Sequence, residues 1–177
     1  MNISLDGYVA GPNGELDWVF RSTDKAQLDW MTTFIGSVDT ILLGDATYRE
    51  QAAAWPSRQG RMADLLNNHA KVVFSSHTDM PHWNNSRRAA GNPTVEIGRL
   101  KQAPGKDIFV TGGARLARSL AQAGLIDIYH LLVHPVVLGN GLSLFGDISL
   151  EFSRVSSCEF DSGTTHIAYR PISTGEK

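Results

Sequence analysis

The sequence predicts an α/β protein with a mainly parallel central sheet, helices on both faces and an antiparallel hairpin at its C-terminal end. Three observations carry that expectation. Strand-like runs recur at residues 40–43, 71–74 and 107–111, in the nearly continuous apolar pattern of strands buried on both faces. Two of these runs pass through glycine straight into a helical pattern, at Gly44 and at Gly112-Gly113. Near the end of the chain, residues 157–160 and 165–169 flank the turn Asp161-Ser162-Gly163-Thr164, as two antiparallel strands would.

Taken in order, residues 1–5 read as a short strand, Asp6-Gly7 as a turn, and Tyr8-Val9-Ala10 as a second apolar stretch broken by Gly11-Pro12-Asn13-Gly14. From residue 24 to about residue 35, Leu28, Met31, Phe34 and Ile35 recur at helical spacing, with Thr23 or Asp24 placed to cap the first turn. Residues 46–54 read as a helix after the first buried strand. The second buried strand ends in the polar cluster Ser75-Ser76-His77-Thr78-Asp79 and Pro81. Residues 82–93 read as irregular and residues 95–97 as a brief strand. A helix over residues 114–123 follows the third buried strand, and Gly124 suits its left-handed cap. Residues 128–137 form a long β-rich run interrupted only at Pro135, before the turn Leu138-Gly139-Asn140-Gly141. No repeat or linker divides the chain, so residues 1–171 are expected to form one domain and residues 172–177 a frayed tail.

Composition narrows the function. The 177 residues are 42% hydrophobic and 19% charged with a net charge of -2, which offers no field for a phosphate backbone, so nucleic acid is not an expected partner. No stretch approaches the ~20 apolar residues needed to span a bilayer, and no secretory signal opens the chain, so a cytoplasmic protein away from the membrane is expected. Cys158 is the only cysteine, which rules out an internal disulfide and a thiolate metal centre. His130 and His134 share a strand face but stand about 13 Å apart, too far for one metal ion. No metal is expected.

The chemistry is expected at the two strand-glycine-helix junctions, Gly44-Asp45-Ala46-Thr47 and Thr111-Gly112-Gly113-Ala114-Arg115. A helix N-terminus presents unpaired amides and a partial positive charge, and glycine lets a ligand approach the backbone closely. Two such junctions on one sheet edge suit a pyrophosphate.

Ser4-Leu5-Asp6-Gly7-Tyr8-Val9-Ala10, Gly44-Asp45-Ala46-Thr47-Tyr48, Phe74-Ser75-Ser76, Val110-Thr111-Gly112-Gly113-Ala114 and Ala123-Gly124-Leu125-Ile126-Asp127 together resemble the reductase domain of bacterial riboflavin biosynthesis and its relatives, which share the dihydrofolate reductase fold. Pro135-Val136-Val137-Leu138-Gly139-Asn140-Gly141 with Leu144-Phe145 is similar to the same family. The resemblance runs from Ser4 to about Tyr169. It implies a dihydrofolate reductase-like domain that binds NADPH and transfers hydride to a C=N or C=O bond of a small heterocyclic or carbonyl substrate; the alternative is a non-catalytic dinucleotide- or ligand-binding module of that fold. It implies that Gly44 to Thr47 and Gly112 to Leu116, with Ala114 and Arg115 between, bracket the pyrophosphate. It places Ser75, Ser76 and His77 near the adenosine ribose and its 2′-phosphate, and the backbone of Val9 and Ala10 against the nicotinamide. It also implies a homodimer, for which residues 128–137 offer a strand surface, and a cis peptide at Gly112-Gly113.

This chain departs from the family pattern in four places. Asp45 stands where a basic residue commonly meets the 2′-phosphate, so Asp45 either caps its helix or opens the way to NADH. Thr111 stands where the riboflavin enzymes carry a Glu that binds the ribityl substrate, and residues 25–28 lack the carboxylate in register that holds a pterin, so riboflavin-pathway and folate substrates are both disfavoured. The first strand is short, consistent with further residues upstream of Met1. Asp17, Asp6 and Tyr48 are the candidate proton donors, with a turn role the simpler account of Asp6, which precedes glycine. Trp18, Trp30 and Thr111 are candidate pocket walls, although large aromatics are more often core.

Overall fold

A computed structural model describes residues 1–111 and 113–172. The elements run β1 (Asn2–Ser4), β2 (Tyr8–Ala10), α1 (Asp17–Arg21), α2 (Lys25–Ser37), β3 (Val38–Gly44), α3 (Asp45–Ala54), α4 (Arg61–Asn68) and β4 (Ala70–Phe74). They continue with β5 (Ser86–Arg88), α5 (Pro93–Gln102), β6 (Asp107–Val110), α6 (Ala114–Gln122), β7 (Tyr129–His134), β8 (Leu142–Ser143), β9 (Phe152–Glu159) and β10 (Thr165–Pro171). The chain forms two compact units. One comprises Met1–Leu28 with Arg118–Lys177, and the other Asp29–Ala117. The expected tail beyond residue 172 lies outside the described residues, and no described helix is long and apolar enough to cross a membrane.

The middle unit holds a four-stranded sheet in the order β5-β4-β3-β6, with every pairing parallel. Central β3 explains its continuous apolar sequence: Ile41, Leu42 and Leu43 are each at most 1% exposed, because both faces are covered. Ile35 of α2, Tyr48 and Ala52 of α3, Leu66 of α4, Val73 and Trp83 complete one core cluster around Ile41 and Leu43.

Two expectations fail in this unit. Residues 95–97 belong to helix α5 instead of a strand, because Asn92 caps it through a 2.8 Å bond from the Thr94 amide and Pro93 occupies the first turn. The stretch 82–93 contains strand β5 and is not wholly irregular. Glu96 lies in the first turn of α5, is 2% exposed, and accepts from both Arg87 and Arg99.

Lys71 is the unexpected member of β4, fully buried inside an apolar strand. Its ammonium donates to the carbonyls of His69 at 2.8 Å, Asn84 at 2.9 Å and Asn67 at 3.3 Å, and lies 4.5 Å from the Trp83 ring centroid. Burial lowers its pKa to about 8, which still leaves it mostly protonated at neutral pH. Lys71→Met, close to isosteric, orphans those carbonyls and is expected to cost about 3 kcal/mol. A thermal unfolding scan should then show a Tm roughly 6–12 °C lower; an unchanged Tm would mean the three bonds contribute nothing.

The other unit is built from both ends of the chain. Its main sheet has the order β1-β7-β10-β9, with β1 parallel to β7 and the remaining pairs antiparallel, and β2 pairs with β8 separately. The predicted C-terminal hairpin is β9–β10, closed by the Phe160 amide donating to the Thr164 carbonyl at 3.0 Å. Asp24, not Thr23, caps α2: its Oδ1 accepts from the Gln27 amide at 2.8 Å and its Oδ2 from the Ser162 amide at 2.8 Å. The β-rich run expected to offer a surface is β7, which lies between β1 and β10 with Tyr129, Leu131 and Leu132 buried. Its body makes core.

Candidate functional site

β3 and β6 are parallel neighbours, so their C-terminal ends reach one edge of the sheet. Leu42 pairs with Val110, and the Thr111 amide donates to the Leu42 carbonyl at 3.2 Å. Both strands leave that edge through glycine. Gly44 is the N-cap of α3 with extended backbone (φ -79°, ψ 159°), and no side chain caps this helix. Gly113, with φ +74°, turns the chain into α6, and its carbonyl accepts from the Ala117 amide at 3.0 Å. The two turns are in contact: a Cβ on Gly113 would sit 3.4 Å from Thr47 Oγ1 and 3.7 Å from the Gly44 nitrogen, and one on Gly44 would sit 3.7 Å from the Leu116 Cβ. The positive ends of two helices therefore meet at one place, which is the requirement for gripping one anionic group. Gly112, and with it the expected cis bond to Gly113, lies outside the described residues.

Beside this cradle sits a polar cluster from three segments of the same unit. Asp45 Oδ1 accepts from the Ser75 hydroxyl at 2.6 Å, while Oδ2 lies 3.0 Å from Arg49 Nε and 3.1 Å from His77 Nδ1. The Ser75 hydroxyl and then the Arg49 guanidinium hold the Asp45 carboxyl below the usual carboxylate range. Asp45 does not cap α3, contrary to one of its two expected roles. It is the first helical residue, one position past the cap, and its oxygens turn sideways to Ser75, Arg49 and His77. Arg49 continues to the Asp79 carbonyl at 2.6 Å, and Arg88 donates to the His77 carbonyl at 3.2 Å. Arg87 and Arg88 of β5 thus bind Glu96 and His77 respectively. Asp79 was not singled out from the sequence; it is 34 positions from Asp45, and no local spacing announces the shared Arg49.

Ser76, Ala46 and Arg115 are exposed at the same junctions, and Thr111 is half-buried at the strand end. Trp30 stacks on Phe34 at 5.3 Å within the unit, and Phe34 packs edge-on against Phe109.

The candidate proton donors are differently engaged. Tyr48 is 1% exposed and its hydroxyl donates to the Pro81 carbonyl at 2.7 Å, so it is a core residue with its proton committed. Asp6, in the other unit, accepts from the Ser4 hydroxyl at 2.6 Å and from the amides of Gly139 at 2.7 Å and Leu138 at 3.1 Å. Those bonds, the Ser4 hydroxyl foremost, lower its pKa, which suits an anion that fastens a loop and opposes a role as acid. Asp17 opens α1 and pairs with Arg21 on the surface. Trp18 is 4% exposed, meets the His134 ring edge-on at 5.3 Å and donates its indole N–H to the Glu15 carbonyl, which makes it core in place of a pocket wall. Val9 and Ala10 are buried in β2, where the Ala10 carbonyl would lie 2.2 Å from any Cβ placed on Gly141.

Comparison with known proteins gives a consistent picture. The family model described as the RibD C-terminal domain matches residues 1–166. The uncharacterized protein YyaP of Bacillus subtilis (strain 168) is 34% identical over 178 residues, spanning 94% of this chain and 90% of its own. A Shewanella sp. PV-4 protein provisionally named for riboflavin biosynthesis superposes with a TM-score of 0.78 at 22% identity, over 98% of this chain and 97% of its own. Dihydrofolate reductase from Enterococcus faecalis, complexed with NADP(H), superposes with a TM-score of 0.64 at 16% identity, over 96% of this chain and 92% of its own. With the mixed α/β architecture and the paired glycine turns, these matches show that the chain belongs to the RibD C-terminal domain family and has its dihydrofolate reductase-like fold.

Proposed function

We propose that this protein is an NAD(P)H-dependent reductase that delivers hydride to a C=N or C=O bond of a small heterocyclic or carbonyl compound. One observation carries the reading: the turns at Gly44 and Gly113 meet at the shared edge of β3 and β6, with the N-termini of α3 and α6 together. The cradle fits a dinucleotide, since a side chain on Gly113 would press on Thr47 and Gly44 where a pyrophosphate needs bare backbone. The amides of Asp45 to Thr47 and of Ala114 to Leu116 hold the pyrophosphate, and Ser75, Ser76 and His77 border the adenosine ribose. When bound, the cofactor supplies the hydride; the protein positions it and excludes water. Riboflavin-pathway substrates are disfavoured because Thr111 offers no carboxylate, and folate because residues 25–28 carry none in register. The direct test is NADPH and NADH fluorescence titration followed by turnover against a panel of carbonyl, pterin and pyrimidine compounds. Binding with turnover is expected, and failure of both cofactors to bind removes the proposal.

The engagement of Asp6 and Tyr48 favours one alternative, a dinucleotide-binding module without efficient catalysis. Tight cofactor binding with no turnover across the panel would select it.

Asp45 should govern the choice of cofactor. As an anion beside the ribose it repels a 2′-phosphate and occupies Arg49 and His77. Asp45→Asn removes the charge and loosens its hold on Arg49 and His77, so the NADPH-to-NADH ratio of kcat/KM is expected to rise roughly tenfold, equivalent to ~1.4 kcal/mol. An unchanged ratio would place the 2′ position away from Asp45.

A further inference from the structure

His69 is the C-cap of α4, one residue before β4, and its half-buried ring is bonded on both sides. Nδ1 meets the Leu65 carbonyl in the last turn of α4. Nε2 lies 2.9 Å from the Ile35 carbonyl in the last turn of α2 and 2.9 Å from the Val38 carbonyl at the start of β3. Among the described residues these three carbonyl oxygens are the only partners of either nitrogen. The carbonyl of His69 is occupied as well, by the Lys71 ammonium at 2.8 Å.

The donor count fixes the charge of the ring. A neutral imidazole has one N–H and one bare lone pair, whereas an imidazolium has two N–H groups. A carbonyl oxygen accepts and cannot donate, so either neutral tautomer sets a lone pair against oxygen, at Leu65 in one case and at Ile35 and Val38 in the other. Only the cation serves all three contacts. The surroundings favour that charge, because the ends of α2 and α4 both turn the negative pole of a helix toward the ring. The charged side chains of α2, Lys25 and Asp29, and of α4, Arg61 and Asp64, stand in the opposite half of each helix. From β3, the Asp39 carboxyl is held below the usual carboxylate range by the Lys106 amide and the Thr40 hydroxyl, and in smaller part by the charges of Lys106 and His69, so an anion stands near the ring. Two lysines oppose the charge: Lys71 of β4, whose ammonium is directed at the carbonyls of residues 67, 69 and 84, and Lys106, ahead of β6, whose charge also acts on Asp39.

We infer that His69 is an imidazolium in the folded protein, a cation that clamps the ends of α2 and α4 to the start of β3 and loosens them as pH rises above neutrality. The clamp lies at the opposite ends of β3 and β4 from the glycine cradle and is independent of the reductase reading.

The sign of the pH effect follows from which state keeps its proton. An unfolded histidine titrates at about pH 6.5, so the stabilisation is complete below that value and is lost as pH rises, the unfolded chain shedding its proton first. Two other groups run the opposite way. Burial lowers the Met1 amine from 8.0 to about 6 and Lys71 from 10.5 to about 8, so their contributions to stability grow with pH across those intervals. A difference between two proteins isolates His69.

The first measurement is NMR of the full wild-type chain, labelled with carbon-13 and nitrogen-15, at about pH 7.5, where an ordinary histidine is about nine-tenths neutral. With His69 assigned through its backbone, both ring nitrogens are expected to carry a proton, and a bare, pyridine-type signal from either one overturns the assignment. The second is urea unfolding of wild type and His69→Gln between pH 6 and 8. At pH 6 the variant is expected to have an unfolding constant at least about tenfold larger, because bonds from a charged donor are lost. That gap should shrink at least about threefold by pH 8 as the wild-type ring gives up its proton. A gap that does not change with pH overturns the clamp. Should His69→Gln not fold, the ring-nitrogen spectrum of the wild type decides alone.

Discussion

Replacing Gly113 with valine is expected to raise the dissociation constant for NADPH by more than about tenfold, a loss exceeding ~1.4 kcal/mol. Two effects act together. The backbone there has φ +74°, which a β-branched residue adopts only at a cost of about 1–2 kcal/mol. The new Cβ would also stand 3.4 Å from Thr47 Oγ1 and 3.7 Å from the Gly44 nitrogen, and the valine methyls reach farther, so the turns must part. Fluorescence titration reads the affinity, and a thermal scan beside it reads folding, with a decrease of several degrees expected from the strain alone. An intact affinity in the folded variant would detach the paired turns from cofactor binding.

Acidification should weaken the protein through two histidines of the β7–β10 sheet. His134 is fully buried, with Nδ1 2.7 Å from the Ser22 hydroxyl and Nε2 3.0 Å from Asn2 Oδ1. His166 is 4% exposed and lies 3.0 Å from His130. Burial lowers the pKa of each from 6.5 to about 4. Because the folded pKa is the lower one, the unfolded chain binds more protons between pH 4 and 6.5. The associated stability is therefore complete above pH 6.5 and is lost as pH falls toward 4, by about 3 kcal/mol for His134 alone. Urea unfolding at a series of pH values should show this slope in wild type, and His134→Gln, which cannot titrate, should show it roughly halved. A flat wild-type profile over that window would contradict the burial argument.

The elements that sequence exposed were those whose periodicity one kind of burial dictates. Ile41 to Leu43 announce a strand covered on both sides, and Gly44 and Gly113 mark where that strand and its neighbour β6 turn. Helix α5 is obscured because Val95 and Ile97 alternate as in a strand, although Asn92-Pro93, a cap followed by proline in the first turn, carries the signature of a helix start. α4 is not read from sequence because it spans only eight residues, although Ala63 and Leu66 are buried and Met62 and Leu65 pack against the core. At the site, the cradle was legible because glycine between strand and helix has a local cause. The Asp45–Arg49–Asp79 and Ser75–His77 contacts were not, since they depend on how the loop after β4 folds back, which no spacing along the chain encodes. Lys71 was hidden for a similar reason: its carbonyl partners come from the end of α4 and from residue 84.

The threading of the chain has a consequence for its biogenesis. β1 finds its partner only at Leu132, Val133 and His134, whereas every strand of the β5-β4-β3-β6 sheet has been synthesised by Val110. On the ribosome, the inserted unit has its full complement of strands while residues 2–4 still wait, unpaired, for a distant stretch of polypeptide. Translation pauses or truncations between those points should strand the N-terminal segment, making it the part most exposed to chaperones and proteases during synthesis.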